Sequence, residues 1–146
     1  MENSKRERLV LVIDDHHEHL AVIKQVFADS TSPCQVIAMS SSDQALEFLR
    51  HQGNYQQAAR PDLILLDTQL PDGKGQTVLV EVKKDVALRR IPTIILSPTT
   101  DHTSVIRNYQ LQCNSYIVKP HDLMHLKDVM HVIESFWLNI VTLPLE

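Results

Sequence analysis

The sequence predicts a doubly wound α/β domain with a five-stranded parallel sheet. Three observations point there: five short apolar runs recur along the chain, the stretches between them show helical periodicity, and the runs are continuously apolar rather than alternating. Unbroken apolarity suits strands buried on both faces, as in a parallel sheet covered by helices.

The first run, Leu9-Val-Leu-Val-Ile13, leads into Asp14-Asp15, and the following stretch places Leu20, Ile23 and Phe27 on one helical face. The second run is Cys34 to Ala38. Ser41 or Ser42 can cap the next helix, whose apolar face is Ala45, Leu46 and Leu49. Pro61 precedes the third run, Leu63 to Leu66, which ends at Asp67; Val78, Leu79 and Val82 mark the helix after it. Pro92 introduces Thr93 to Leu96, followed by Ser97 and a helix predicted to bury Val105, Ile106 and Tyr109. The fifth run, Tyr116 to Val118, stops at Lys119-Pro120. The 26 residues that remain hold one long helix and a tail. That helix is apolar on two faces: Leu123, Leu126, Met130, Ile133 and Trp137 form one, and Val129, Val132, Phe136 and Ile140 the other. A helix with two apolar faces usually buries both. The expectation is that one face covers the sheet, while Val129, Val132, Phe136, Trp137 and Ile140 form a dimer or partner surface.

Composition narrows the class. At 146 residues, against a prior of about 150 per domain, the chain reads as a single domain over 1–146. Its core runs over about 8–134, with a C-terminal helix extension and tail over about 135–146 and no output domain. A net charge of −4 gives no nucleic-acid footprint, and 43% apolar residues exclude a disordered chain. The longest unbroken apolar run has five residues, whereas a bilayer span needs about 20. The start, Met1 to Arg8, is polar and has no signal-peptide character. Cys34 and Cys113 lack motif spacing and fit a reducing compartment, so a cytoplasmic location is expected.

In an open parallel sheet, ligands bind beyond the carboxyl ends of the strands. There the sequence places Asp14, Asp15, Asp67, Ser97 and Lys119. A few hard oxygen donors with room for water describe a Mg²⁺ site. Without an ion, such a cluster is expected to repel itself and raise some of its own pKa values. A lysine facing the ion supplies the positive charge that phosphoryl transfer needs, and the chemistry suggested is a carboxylate accepting a phosphoryl group.

These residues lie within Val12-Ile-Asp-Asp15, Leu65-Leu-Asp-Thr-Gln-Leu-Pro71, Ile94-Ile-Leu-Ser97 and Tyr116-Ile-Val-Lys-Pro120, and on them the chain resembles the receiver domains of two-component response regulators. The resemblance spans nearly the whole chain. It implies a flavodoxin-like fold with strand order 2-1-3-4-5 and a phospho-acceptor at Asp67. It also implies Mg²⁺ held by Asp14, Asp15, Asp67 and the main-chain carbonyl of Gln69. Ser97 and Lys119 would bind the phosphoryl group, Ser97 and Tyr116 would act as the switch, and the peptide before Pro120 would be cis. Leu96-Ser-Pro-Thr99 and Phe136-Trp-Leu-Asn-Ile-Val-Thr-Leu-Pro144 resemble, more narrowly, the stand-alone regulators paired with cyanobacterial phytochrome histidine kinases. That implies a phosphohistidine donor on a light-sensing kinase, a homodimer, an unidentified downstream protein, and at most slow autodephosphorylation rather than enzyme turnover.

Three features depart from the family pattern. Lys74 precedes Gly75 where an acidic residue is usual, Pro98 follows Ser97 where alanine is common, and His16-His17 follow the acidic pair. The histidines of His16-His-Glu-His19 and the pair His121/His125 have metal-like spacing but no evident third ligand, and read as solvated surface. Two other functions stay open. An aspartate-based phosphatase would want an acid two residues after Asp67, where Gln69 stands. A receiver-like interaction module without phosphorylation would keep the fold and lose the chemistry.

Overall fold

The structure, a computed structural model, describes residues 7–144. The first six residues of the polar start and the last two of the tail lie outside the described residues. Five strands, β1 (Arg8–Ile13), β2 (Cys34–Met39), β3 (Leu63–Asp67), β4 (Thr93–Ser97) and β5 (Ser115–Val118), form one sheet in the order β2-β1-β3-β4-β5. Every neighbouring pair is parallel. The helices are α1 (His17–Ala28), α2 (Ser42–Leu49), α3 (Gly75–Lys84), α4 (His102–Gln110) and α5 (Leu123–Glu134), with a short 3-10 turn at Gly53–Tyr55.

The strand pleat divides the apolar runs between two cores. Leu9, Leu11, Ile13, Ile64, Leu66 and Ile95 face α2 and α3, where Ala45, Phe48, Leu49, Val78, Leu79 and Val82 pack on them. Val10, Val12, Leu63, Leu65, Ile94 and Leu96 face α1 and α5, against Ile23, Val26, Phe27, Leu126, Met130 and Ile133. Residues on both sides of β1, β3 and β4 are buried, which is why those strands read as unbroken apolar runs. Ser41 is the residue that caps α2, accepting the Gln44 N–H.

Two predicted faces turn out differently. On α4, Ile106 and Tyr109 are exposed, Val105 is half-buried, and Asn108 is the buried residue. The cause lies in what α4 covers. It sits over the sheet edge at β5, a four-residue strand that is itself only half-buried, so there is little apolar surface to receive three side chains. Asn108 turns inward because its amide is satisfied there, donating to the Ser104 carbonyl at 2.9 Å and meeting Gln76 of α3 at 3.5 Å.

The last helix also changes register. After Glu134 the chain winds as a π-helical turn over Ser135–Ile140, closed by a bond from the Val141 N–H to the Phe136 carbonyl. The wider i→i+5 winding rotates the following side chains. Leu138, not Trp137, therefore enters the core, and Leu143 follows it. Glu134, Asn139, Ser30 and Ser32 fasten this segment to the end of α1: Ser30 Oγ and Asn139 Nδ2 donate to Glu134 Oε2 at 2.6 and 2.8 Å, and Ser32 Oγ donates to Asn139. No cis peptide bond occurs among the described residues, so the Lys119–Pro120 bond is trans, the form that most X-Pro bonds adopt.

This register makes a clear prediction. Leu138→Ala is expected to cost about 2–5 kcal/mol by leaving a cavity in the core, whereas Ile140→Ala is expected to shift stability by less than about 0.5 kcal/mol, as for other exposed positions. Paired urea denaturation curves of the two variants check it.

Candidate functional site

The site forms where β1, β3, β4 and β5 end. Asp14 and Asp15 follow β1, Asp67 closes β3, Ser97 closes β4, and Lys119 follows β5. Asp14 and Asp67 use the same local device. Asp14 Oδ1 accepts the N–H of His16 at 2.9 Å, and Asp67 Oδ1 accepts that of Gln69 at 2.8 Å. A carboxylate bonded to the amide two residues on is held back over its own strand end, with its second oxygen free to face inward.

Between these two oxygens lies the Lys119 ammonium. It donates to Asp67 Oδ2 at 3.0 Å and to Asp14 Oδ2, and all three side chains are at most 3% exposed. Burial pushes the Asp14 carboxyl up, but the Lys119 ammonium with the backbone N–H and ring of His16 outweighs it, leaving the pKa below the ordinary 3.8. This corrects, for Asp14, the expectation that crowding would raise pKa values in the cluster: the lysine is close enough to act as its counter-ion.

Asp15 is the half-buried member of the acidic set. Its Oδ1 is nevertheless a buried atom with no hydrogen-bond partner. Asp14, Asp15, His16 and Asp67 each place one ligand atom within 4.8 Å of all the others. An orphaned carboxylate oxygen beside two further carboxylates fits a divalent cation, since such ions take oxygen donors and supply the missing partner. Gln69 lines the same crevice, a space of about 140 Å³ that also meets His16, His19, Pro98 and Lys119.

Ser97 is fully buried at the end of β4, and its Oγ accepts the Thr99 N–H at 3.4 Å. Pro98, between them, offers no N–H of its own. The Thr99 carbonyl accepts the hydroxyl of Tyr116 at 2.9 Å, and the half-buried Tyr116 ring packs against the core on the α3 side. Ser97 and Tyr116 are thus linked through one residue. The Tyr116 N–H in turn donates to the Tyr109 hydroxyl at 3.1 Å, tying β5 to α4.

The loop between β3 and α3, already marked by Lys74 and Gly75 in the sequence, is fixed by Asp72, whose role the sequence did not show. Asp72 accepts the N–H of Ser42 at 2.8 Å, its hydroxyl at 3.1 Å and the Lys74 N–H at 2.9 Å, which clamps the loop to the start of α2. Gly75 lies so close to Thr68 that a Cβ would stand 2.5 Å from the Thr68 carbonyl oxygen. Lys74 points away and meets Asp43 at 3.4 Å on the surface. His19 lies at the same crevice: with Asp14 as the third member, His16 and His19 make a possible ligand group, which corrects the reading of these histidines as solvated surface without a third ligand. Their spacing was the hint in the sequence, and Asp14 is the third member that spacing alone did not supply. His125 pairs instead with Asp122 at 3.0 Å.

Of the predicted partner surface, Val132, Phe136 and Ile140 are exposed, Val132 and Ile140 at 68% each. Val129 and Trp137 are half-buried and pack against the domain's own core, so they belong to that surface only in part. The Phe136 and Trp137 rings meet edge to face at 5.5 Å.

A five-stranded 2-1-3-4-5 sheet with acidic strand ends and a buried lysine defines a class, and comparison with known proteins agrees. The family model for the response regulator receiver domain matches residues 10–131, and the chain belongs to that family. It is similar to response regulator Rcp1 of Synechocystis sp., 36% identical over 143 residues that cover 98% of this chain and 97% of that one. Among solved structures it resembles the phosphorylated cyanobacterial phytochrome response regulator RcpA, with a TM-score of 0.93, 36% identity and coverage of 96% of this chain and 100% of that one. The Mn²⁺-bound form of Rcp1 is also similar, with a TM-score of 0.91, 36% identity and coverage of 94% and 99%. No helix among the described residues is long and apolar enough to cross a membrane.

The pairing of Lys119 with two buried carboxylates yields a test. Lys119→Met strands both charges and is expected to cost on the order of 3–5 kcal/mol in the presence of a chelator. In the wild type, Asp14 has its pKa depressed, so its contribution to stability is complete above the unfolded value near 3.8 and is lost as pH falls through the lower folded value. Without the ammonium the sign is expected to reverse, with Asp14 titrating above 3.8. Carboxyl-carbon NMR across a pH series reads the reversal.

Proposed function

We propose that the chain is a phospho-accepting switch: Asp67 takes a phosphoryl group from the phosphohistidine of a histidine kinase, and the change is read by another protein. The observation that carries this reading is the convergence of Asp67 with Asp14, Asp15 and Lys119 in one crevice, the Asp67 carboxylate already oriented by its bonds to Gln69 and Lys119.

In that reading a carboxylate oxygen of Asp67 attacks phosphorus, the P–N bond to the donor imidazole breaks with its electrons returning to the ring, and an acyl phosphate remains. Asp14, Asp15, Asp67 and the Gln69 main chain would hold Mg²⁺. The bound ion supplies positive charge against the phosphoryl oxygens. Lys119 moves its ammonium from Asp67 to a phosphoryl oxygen, so the buried charge keeps a partner throughout. Ser97 turns its hydroxyl toward another phosphoryl oxygen and gives up the Thr99 N–H. Thr99 then shifts with the carbonyl that holds Tyr116, and the surface around α4 and β5 changes. A local charge thereby biases a two-state element. Gln69 carries no acid or base group beside Asp67, which favours a stored phosphate over turnover. The protein is accordingly an acceptor with at most slow self-dephosphorylation.

The kinase is proposed to be a cyanobacterial phytochrome, from the likeness to Rcp1 and RcpA over nearly the whole chain. A cytoplasmic site of action goes with such a partner. The exposed face of Val132, Phe136 and Ile140 is proposed to join a second copy of the chain. Together these residues line a shallow apolar hollow with His131 and Ser135.

Intact mass after incubation with acetyl phosphate tests the chemistry. The wild type is expected to gain one phosphoryl group only with Mg²⁺, and Asp67→Asn to gain none; equal labelling of the two would refute the assignment. For the dimer, Val132→Asp with Ile140→Asp is expected to give monomers by sedimentation while the thermal midpoint hardly moves. A wild type that sediments as a monomer at high concentration, with or without phosphorylation, would remove the homodimer.

A further inference from the structure

His16 stands at the N-cap of α1, yet its side chain makes no cap bond. Its ring is turned into the acidic crevice instead. Nδ1 lies 2.9 Å from Asp14 Oδ1, 3.3 Å from Asp15 Oδ1 and 3.8 Å from Asp67 Oδ2, so one nitrogen faces an oxygen from each of the three carboxylates. An octahedral ion with ligands at about 2.1 Å keeps adjacent donors about 3.0 Å apart. The 2.9 Å contact is a hydrogen bond of the ring to Asp14, and once Nδ1 gives up its proton the same nitrogen stands close to the spacing of a further donor to an ion shared with Asp14 and Asp15.

Three further observations point the same way. The buried atoms at this place that lack a hydrogen-bond partner include one oxygen, Asp15 Oδ1, and one nitrogen, His19 Nδ1. The His19 ring stacks on His16 with centroids 4.7 Å apart and planes 28° apart. The stacking covers one face of the His16 ring, whose side chain is otherwise half-exposed. Asp14, His16 and His19 also form a three-donor group within 4.8 Å, overlapping the first.

We propose that His16 Nδ1 is a direct ligand of the divalent ion in this crevice, so that the site takes nitrogen-accepting transition ions more readily than an all-oxygen site would. The inference rests on the reading of the crevice as a divalent-ion site. Mg²⁺ is content with carboxylate, carbonyl and water oxygens, whereas first-row transition ions gain from an imidazole donor. A mixed set of one nitrogen and three carboxylate oxygens narrows the advantage Mg²⁺ holds by abundance. The ion that loads the switch then depends on the metals at hand as well as on the kinase.

Mn²⁺ is a suitable probe, being close to Mg²⁺ in coordination and readable by pulsed EPR, in which a bound ¹⁴N nucleus modulates the echo. The full chain, His16→Asn and Asp67→Asn are compared at one fixed pH, with Mn²⁺ and Mg²⁺ affinities measured by calorimetry. Asparagine is a good N-cap residue, so the His16 variant keeps the start of α1. The expected result is a ¹⁴N coupling in the wild type that His16→Asn abolishes, with the Mn²⁺-to-Mg²⁺ affinity ratio falling by roughly tenfold or more. Mn²⁺ binding that depends on Asp67 but shows no nitrogen coupling, with an unchanged ratio in His16→Asn, would overturn this inference and leave the ion site intact. A coupling that persists in His16→Asn places the nitrogen elsewhere and overturns it as well. Absence of any ion binding in the wild type would overturn the ion site itself, and this inference with it.

Discussion

Two carboxylates and one ammonium, each almost wholly removed from water, meet where β1, β3 and β5 end, and the arrangement of the domain answers to that meeting. Asp14 and Asp67 sit on neighbouring strands, while Lys119 reaches them across β4 from the sheet edge. An isolated buried charge costs several kcal/mol, and even a paired one stabilises only when its remaining bonds are satisfied. The backbone amides of His16 and Gln69 provide those bonds. The sheet order makes the triad possible, and the triad in turn makes the strand ends a place where an incoming anion can find a cation.

The same interaction underlies the proposed switch. Lys119 holds Asp14 and Asp67 with one charge, so a more negative group on Asp67 competes for it directly. Ser97 is one hydrogen bond from Thr99, and Thr99 is one from Tyr116, with distances of 3.4 and 2.9 Å. Neither bond is part of the sheet ladder. Rearranging them leaves the two hydrophobic cores in place, which confines the change to the loop after β4 and the thinly covered edge formed by α4 and β5.

Much of this was legible in the sequence, for physical reasons. Unbroken apolar runs read as strands buried on both faces, as β1, β3 and β4 are, and a polar or charged residue closing such a run falls at the sheet's end. Asp14, Asp67, Ser97 and Lys119 could be placed on that ground, and the class of protein with them. The features that escaped depend on three-dimensional neighbours. Periodicity marked Val105, Ile106 and Tyr109 as a helix face but could not reveal that the edge below was too narrow to bury it. No proline or glycine announces the π-helical turn at Ser135–Ile140, so the sequence did not show that Leu138 enters the core or that Trp137, expected at a partner surface, packs partly against it. Spacing alone could not show that His16 and His19 turn toward Asp14 instead of water, since that depends on ring orientation at the start of α1.

In the proposed switch, Lys119 and Ser97 exchange their present partners for a group on Asp67. A crystal structure of the chain soaked with Mg²⁺ and beryllofluoride tests it most directly. The expected structure has beryllium bonded to an Asp67 oxygen, Lys119 Nζ and Ser97 Oγ each within hydrogen-bonding distance of a fluoride, and the Ser97–Thr99 bond broken. Beryllofluoride on Asp67 with Lys119 still bridging Asp14 and Asp67, and Ser97 still bonded to Thr99, would contradict it.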